Sequence, residues 1–364
     1  MGTHESREYL VHQLLVVKGI CILGVIAIHV SGDFSSMPGM TWLTAGLLLI
    51  NSLSRFAVPV FIMLSGFYLS LNPRNTRALP FYGRTLRFLV IPYVFYSLFY
   101  TLLKFKSGLS LSLLVKNVLL GSAYPHLWFS LLILQVYLFH PFLSRFFKDV
   151  NAAGRRVILA FGVQVLWSVL FSLFVPNPDL QRAGSGALAR IGKFLLPSSV
   201  GFLFFGYYLA ARSEEAVAWL KRAIVKYAAI VTWIVAGAAS ALFWGIPMSQ
   251  GIAYRDIRHA YLGQSLLLPL ISVAAFAVLF IFANERKSRP AVVRDLFHRF
   301  GLYSYGVYYL HPFFVKVCTK VVHQVLNLSY DNVWGYAILF ILVPSVSLVA
   351  VKMLSKIPLG RYFV

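Results

Sequence analysis

The chain has 364 residues, of which 59% are hydrophobic, 16% aromatic and 12% charged, with a formal net charge of +22. Soluble domains carry roughly twice that share of charged residues, so the composition excludes a soluble globular enzyme, a disordered chain and a disulfide scaffold, and points to a polytopic membrane protein. The two cysteines, Cys21 and Cys318, both lie in apolar runs and form neither a disulfide framework nor a zinc site.

Ten segments are apolar for long enough to cross a bilayer as helices: 14–31, 42–71, 86–103, 128–147, 157–175, 194–211, 224–244, 262–284, 302–322 and 333–353. None shows the alternation of an outer-membrane barrel strand, so the expected fold is an all-α bundle forming one integral membrane domain over 1–364. Lys and Arg accumulate in cytoplasmic loops. Alternate loops together with both termini hold 21 of the 33 basic residues, and the opposite loops hold 8. This bias predicts both termini in the cytoplasm, and it accounts for the positive charge without nucleic acid.

Ionisable groups inside spans are costly and mark functional positions. Lys18 and His29 share the first span, eleven residues apart. Eleven steps of 100° close to within about 20° of three full turns, so the two lie on one helix face about 16 Å apart along the axis. A snorkelling lysine and a histidine bonded to a neighbouring helix is the plainer reading of the pair. Asp33, four residues past His29, is placed to orient the imidazole if the helix runs that far. Arg55 falls mid-membrane in the second span, four residues before Pro59, which frees a carbonyl one turn back for Arg55 or Asn51 to satisfy. It is either a clamp on a broken helix or part of a site.

Arg84 and Arg87 open the third span, where they serve positive-inside topology or grip phosphate oxygens. His126 and Trp128 begin the fourth span at the outer face. His140, before Pro141, reads as structural. His311 lies mid-span in the ninth segment and must be paired or line a cavity. There is no P-loop, no His-Glu-x-x-His metal helix and no nucleophile elbow, so no metal is expected. Gly184-Ser185-Gly186 lacks the strand and helix that a dinucleotide site needs.

Taken in order, these pieces resemble the acyltransferase-3 family of integral membrane acyltransferases. Lys18-x10-His29 is similar to the family's Arg/Lys-x10-His signature. Asn51 to Gly66, with Arg55, Pro59, Phe61 and Ser65-Gly66, resembles its second-span pattern. Arg84-x-x-Arg87 followed by Pro92-Tyr93, then His126-Leu127-Trp128-Phe129, then Tyr308-x-x-His311, resemble its later landmarks. Val17 stands where relatives commonly carry Asp or Asn. No esterase-like domain is expected, and the chain resembles the stand-alone branch.

The resemblance implies a multi-pass enzyme of a bacterial cytoplasmic (inner) membrane. It would move an acyl group, expected to be acetyl, from acyl-CoA to a hydroxyl of an extracytoplasmic glycan or glycolipid. No permanently bound cofactor is implied; the partners are acyl-CoA, the glycan acceptor and membrane lipid. Lys18, Arg84 and Arg87 would meet the phosphates of acetyl-CoA. His29 would act as general base on the acceptor hydroxyl, and Arg55 or His311 would stabilise the oxyanion. His126 and Trp128 would contact the acceptor. An acyl-histidine intermediate stays open. The alternative from another class is a transporter or exporter of polysaccharide or lipid-linked sugar, which a helical bundle with buried Arg and His also suits.

Overall fold

The computed structural model describes residues 4–37, 39–71, 78–104, 109–147, 151–174, 192, 195–220, 222–254, 257–284, 291–358, 360 and 363. Every regular element among them is a helix, as a chain in lipid requires when each backbone N–H and C=O must be satisfied within its own segment. In chain order these are α1 His4–Ser31, α2 Trp42–Ser54, α3 Ala57–Leu71, α4 Ala78–Thr85, α5 Ile91–Lys104, α6 Leu111–Leu120, α7 Trp128–Leu143, α8 Ala153–Phe174, α9 Val200–Ala211, α10 Ser213–Leu220, α11 Ala223–Ser249, α12 Arg258–Asn284, α13 Ala291–Leu302, α14 Ser304–Lys320 and α15 Val333–Leu354. Basic residues within 72–77, 105–108, 148–150, 175–191, 193–194, 221, 255–256, 285–290 and 361–362, and the Gly184-Ser185-Gly186 stretch, lie outside the described residues.

Eight stretches are long and apolar enough to span a membrane: Val11–Ser36, Trp42–Leu71, Leu79–Lys104, Trp128–Phe146, Ala153–Phe171, Ala223–Ser249, Leu262–Asn284 and Val333–Leu354. They coincide with eight of the ten predicted spans. The segment expected over 194–211 appears as α9, an apolar helix of 12 residues. The segment expected over 302–322 appears as α14, 17 residues with three Tyr, two Lys and one His, continued by a π-turn over Val321–Val325.

The described helices form two compact units: residues 1–61 with 214–362, and residues 62–213 with Phe363. In the first, α1 is the central helix and packs against α2, α12, α13, α14 and α15. A helix with neighbours on every side has no polar face, and Leu14, Val17, Cys21, Ile22, Val25 and Ile26 are all buried around it. Its crossing with α13 depends on two glycines. A Cβ at Gly19 would collide with the carbonyl of Phe297, and one at Gly301 with the carbonyl of Leu15. Small residues of this kind let helix backbones meet in a membrane, where lipid removes the hydrophobic drive for association.

The second predicted span is interrupted between Ser54 and Ala57. Pro59 has no N–H, and its ring crowds the carbonyl four residues back, that of Arg55. The break releases the Leu53 carbonyl, which accepts a hydrogen bond from the Trp233 indole of α11 at 3.0 Å. The second unit uses the same small-residue device: Gly66 of α3 and Gly206 of α9 each leave room for the other helix's backbone, at Leu203 and Met63. Within it α8 packs on α9, α5 on α6 and α4 on α7.

Candidate active site

The first unit brings together two histidines that are 282 residues apart in the chain. His29 of α1 and His311 of α14 lie with ring centroids 5.0 Å apart and planes inclined by 52°. His311 is fully buried, and its Nδ1 lies 3.1 Å from the Val307 carbonyl. A carbonyl oxygen only accepts, so Nδ1 carries the proton and, in the neutral ring, Nε2 carries the lone pair. His29 is only part-buried. Among the described residues no hydrogen bond reaches either of its ring nitrogens, and its ring contact is with His311. Packing holds this imidazole while both nitrogens stay available to a substrate.

The end of α1 is held from α2. The last four carbonyls of a helix have no partner within it. Ser31 donates its hydroxyl to the Ala27 carbonyl at 2.6 Å. Asn51, itself buried, donates from Nδ2 to the Ile28 carbonyl at 2.9 Å and to the Ser31 hydroxyl at 3.1 Å. Asn51 therefore ties down the helix end on either side of His29, through the Ile28 carbonyl and the Ser31 hydroxyl, rather than serving a carbonyl freed by Pro59. A buried amide in an apolar span was the sequence signal for such a tie. The expected Asp33–His29 contact does not form. α1 gives way after Ser31 to a tight 3₁₀ turn over Gly32–Ser36, and the Asp33 carboxylate accepts from the Tyr336 hydroxyl at 3.4 Å.

Arg55 sits at the break between α2 and α3, capping α2 through its backbone N–H to Ser52 at 3.3 Å. Asn51 and Arg55 are four residues apart, so they share one face of the helix end, the face on which Asn51 reaches α1. The guanidinium is part-buried, no carboxylate pairs with it among the described residues, and its Nε has no partner there. Lys18 is part-buried on α1, beside the Gly19 crossing with α13. Because α1 is one uninterrupted helix from His4 to Ser31, the single-face relation between Lys18 and His29 holds.

The arrangement in this unit is an accessible imidazole backed by a second imidazole, with a guanidinium at a helix break on the neighbouring element. Such a set can take a proton, act as a nucleophile and stabilise an anion. The acyltransferase-3 family model, described as an acyltransferase domain, matches residues 11–352. The chain belongs to the acyltransferase-3 family. It is a multi-pass membrane acyltransferase, so it acts on an acyl donor and an acceptor. No curated protein and no solved structure matches it.

Four predicted site residues of this acyltransferase lie in the second unit. Arg84, at the end of α4, and Arg87, in a π-turn over Leu86–Val90 that leads into α5, are both exposed. Arg87 lies over the Phe88 ring at 5.6 Å. His126 is buried and edge-on to Tyr100 at 5.2 Å and to Tyr124 at 5.7 Å. Trp128 opens α7, half-buried, against Phe129. His140 shares a hydrogen bond of 2.6 Å with the Tyr207 hydroxyl, in keeping with its structural reading. No group of three metal-ligating side chains occurs among the described residues.

Proposed function

We propose that this acyltransferase moves an acetyl group from acetyl-CoA, presented at the cytoplasmic face, to a hydroxyl of a glycan or lipid-linked sugar on the opposite face of a bacterial inner membrane. Both termini are cytoplasmic in this reading, as the loop bias of Lys and Arg favours. A nitrogen of His29 takes the proton of the acceptor hydroxyl. The hydroxyl oxygen attacks the thioester carbonyl, the C–S bond breaks, and the thiolate collects the proton to leave as CoA. Arg55, which has no carboxylate partner among the described residues, donates to the oxyanion as it develops, with His311 steadying the imidazole it backs. Arg84 and Arg87, exposed and cationic, together with Lys18, are the proposed contacts for the donor's phosphates. His126 and Trp128 are kept as proposed acceptor contacts.

The observation that carries this reading is the His29 ring: in the last turn of the central helix α1, part-exposed and with no hydrogen bond among the described residues. A histidine serving packing alone is expected to be closed off by a partner. The test is purified protein in lipid nanodiscs with acetyl-labelled acetyl-CoA and a panel of bacterial glycans. Label should move to glycan with an equal release of CoA thiol, and His29→Ala should stop both. Sugar uptake into proteoliposomes without labelled product would instead favour transport.

A further inference from the structure

We propose that the turn beyond His29 is the acceptor's sugar-binding subsite, built by Asp33, Tyr336, Tyr330 and His323. The proposal rests on the acyl-transfer reading above and names where its acceptor docks.

Asp33 lies four residues past His29, in the 3₁₀ turn that follows α1. Its Oδ2 accepts from the Tyr336 hydroxyl at 3.4 Å. No Lys or Arg pairs with it among the described residues. A carboxylate has about four lone-pair sites, so one long hydrogen bond leaves most of its accepting capacity unused. Electrostatic interactions connect Asp33 with His323 and Tyr336 with Tyr330. The four side chains form two contacting pairs, Asp33 with Tyr336 and His323 with Tyr330, and come from three separate segments.

The aromatic side of the subsite is built with unusual backbone. His323 stands in the π-turn over Val321–Val325, a form of helix that occurs disproportionately at functional positions. Asn327 follows with φ of 52°, in the left-handed region that asparagine enters more readily than most non-glycine residues. This reversal returns the Leu328 carbonyl to His323 Nδ1 at 2.5 Å. It also stacks the imidazole on the Tyr330 ring, centroids 3.7 Å apart and planes 23° apart. Nδ1 donates, so in the neutral ring Nε2 bears the lone pair; that nitrogen is buried and has no partner among the described residues. Tyr330 itself remains 60% exposed.

A flat, exposed aromatic ring supported on one face, next to a carboxylate with spare acceptor sites, matches a pyranose. The sugar's C–H face lies on the ring and its hydroxyls donate to the carboxylate. A lipid phosphate or another anion is disfavoured, since the polar group here is a carboxylate. An interfacial tyrosine belonging to the membrane belt would show no selectivity for sugars.

The probes are methyl glycosides of glucose, galactose, rhamnose and N-acetylglucosamine, offered to the full-length protein in nanodiscs. For the wild type, acetyl-CoA cleavage with water as acceptor is measured first, and acetyl transfer to each glycoside second. Asp33→Asn and Tyr330→Ala should raise KM for the accepted glycoside by about tenfold or more, the loss expected for one charged hydrogen bond or one stacking face. KM for acetyl-CoA should stay within about twofold on the same arithmetic. Tyr330→Phe keeps the stacking face and should retain the wild-type KM. Saturation-transfer NMR should show the glycoside's ring protons against the protein in the wild type and not in Tyr330→Ala. CoA release without transfer to any glycoside, or an unchanged glycoside KM in both variants, overturns the subsite and leaves acyl transfer standing. No CoA release at all in the wild type overturns the acyl-transfer reading, and the subsite with it.

Discussion

In the 62–213 unit, His140 is buried with its Nδ1 2.6 Å from the Tyr207 hydroxyl, its ring stacked on that tyrosine and tilted against Phe81. In the other unit, His29 is part-exposed, touches one ring, and makes no hydrogen bond among the described residues. Both are histidines in apolar helices, and composition cannot separate them. The difference lies in what each nitrogen meets. A donor or acceptor left without a partner in a dry interior costs about 1–3 kcal/mol, so a fold that merely needs packing closes the histidine off, as it does for His140. Leaving His29 open is tolerable where the ring faces a cavity that substrate or water can enter. The contrast teaches that hydrogen-bond satisfaction, rather than burial, distinguishes the working histidine from the structural one.

The largest expected effect comes from removing the open imidazole. His29→Ala should lower acetyl transfer by about 10²–10⁴-fold, the usual contribution of a positioned base, while membrane yield and thermal unfolding of the purified protein match wild type. A variant that transfers normally breaks the comparison. Next is Arg55→Ala, expected to lower kcat by about 10²–10³-fold, as loss of an oxyanion donor does; Arg55→Lys should recover only part, because an ammonium lacks the guanidinium fork. Kinetics under saturating donor measure both.

Replacing both Arg84 and Arg87 with alanine should act chiefly on KM for acetyl-CoA, by about thirtyfold if each lost charged contact is worth roughly 1 kcal/mol. An unchanged KM would leave these arginines a role in topology alone. Asn51→Ala sharpens the comparison from the positioning side. It removes two hydrogen bonds that hold the end of α1, so unfolding should be easier by about 1–3 kcal/mol and kcat should fall with it, while KM for acetyl-CoA holds. The smallest effect on chemistry belongs to the satisfied histidine. His140→Phe leaves the Tyr207 hydroxyl one partner short, so stability should drop by about 1–2 kcal/mol with transfer kinetics as in wild type.

Much of the molecule was legible in its residues. Apolar runs near bilayer length carry their own signature because lipid demands a self-satisfied backbone, and eight of the ten expected spans appear as helices of that kind. The two that differ are instructive. Residues 302–322 read as a span because Val, Tyr and Phe dominate, yet α14 stops at 17 residues, carries three tyrosines, two lysines and one histidine, and runs into a π-turn. The position of the break in α2–α3 was readable from Pro59, since the ring clash acts at a fixed distance along the chain. The partner that takes up the freed Leu53 carbonyl, Trp233, lies 180 residues away and had no local signal.

What the chain determined by itself is whatever depends on short-range periodicity and on the cost of charge in lipid: helices, their approximate ends, the small set of polar residues worth suspecting, and the shared face of Lys18 and His29. What only the tertiary structure decided is which suspects meet. His29 and His311 become neighbours because α1 runs through the centre of its unit and α14 packs on it; Asn51 turns to the end of α1, and Asp33 to Tyr336 instead of His29. Pairings across hundreds of residues follow from how helices cross, and those crossings rest on glycines such as Gly19 and Gly301, whose value is apparent only when the opposing backbone is in place.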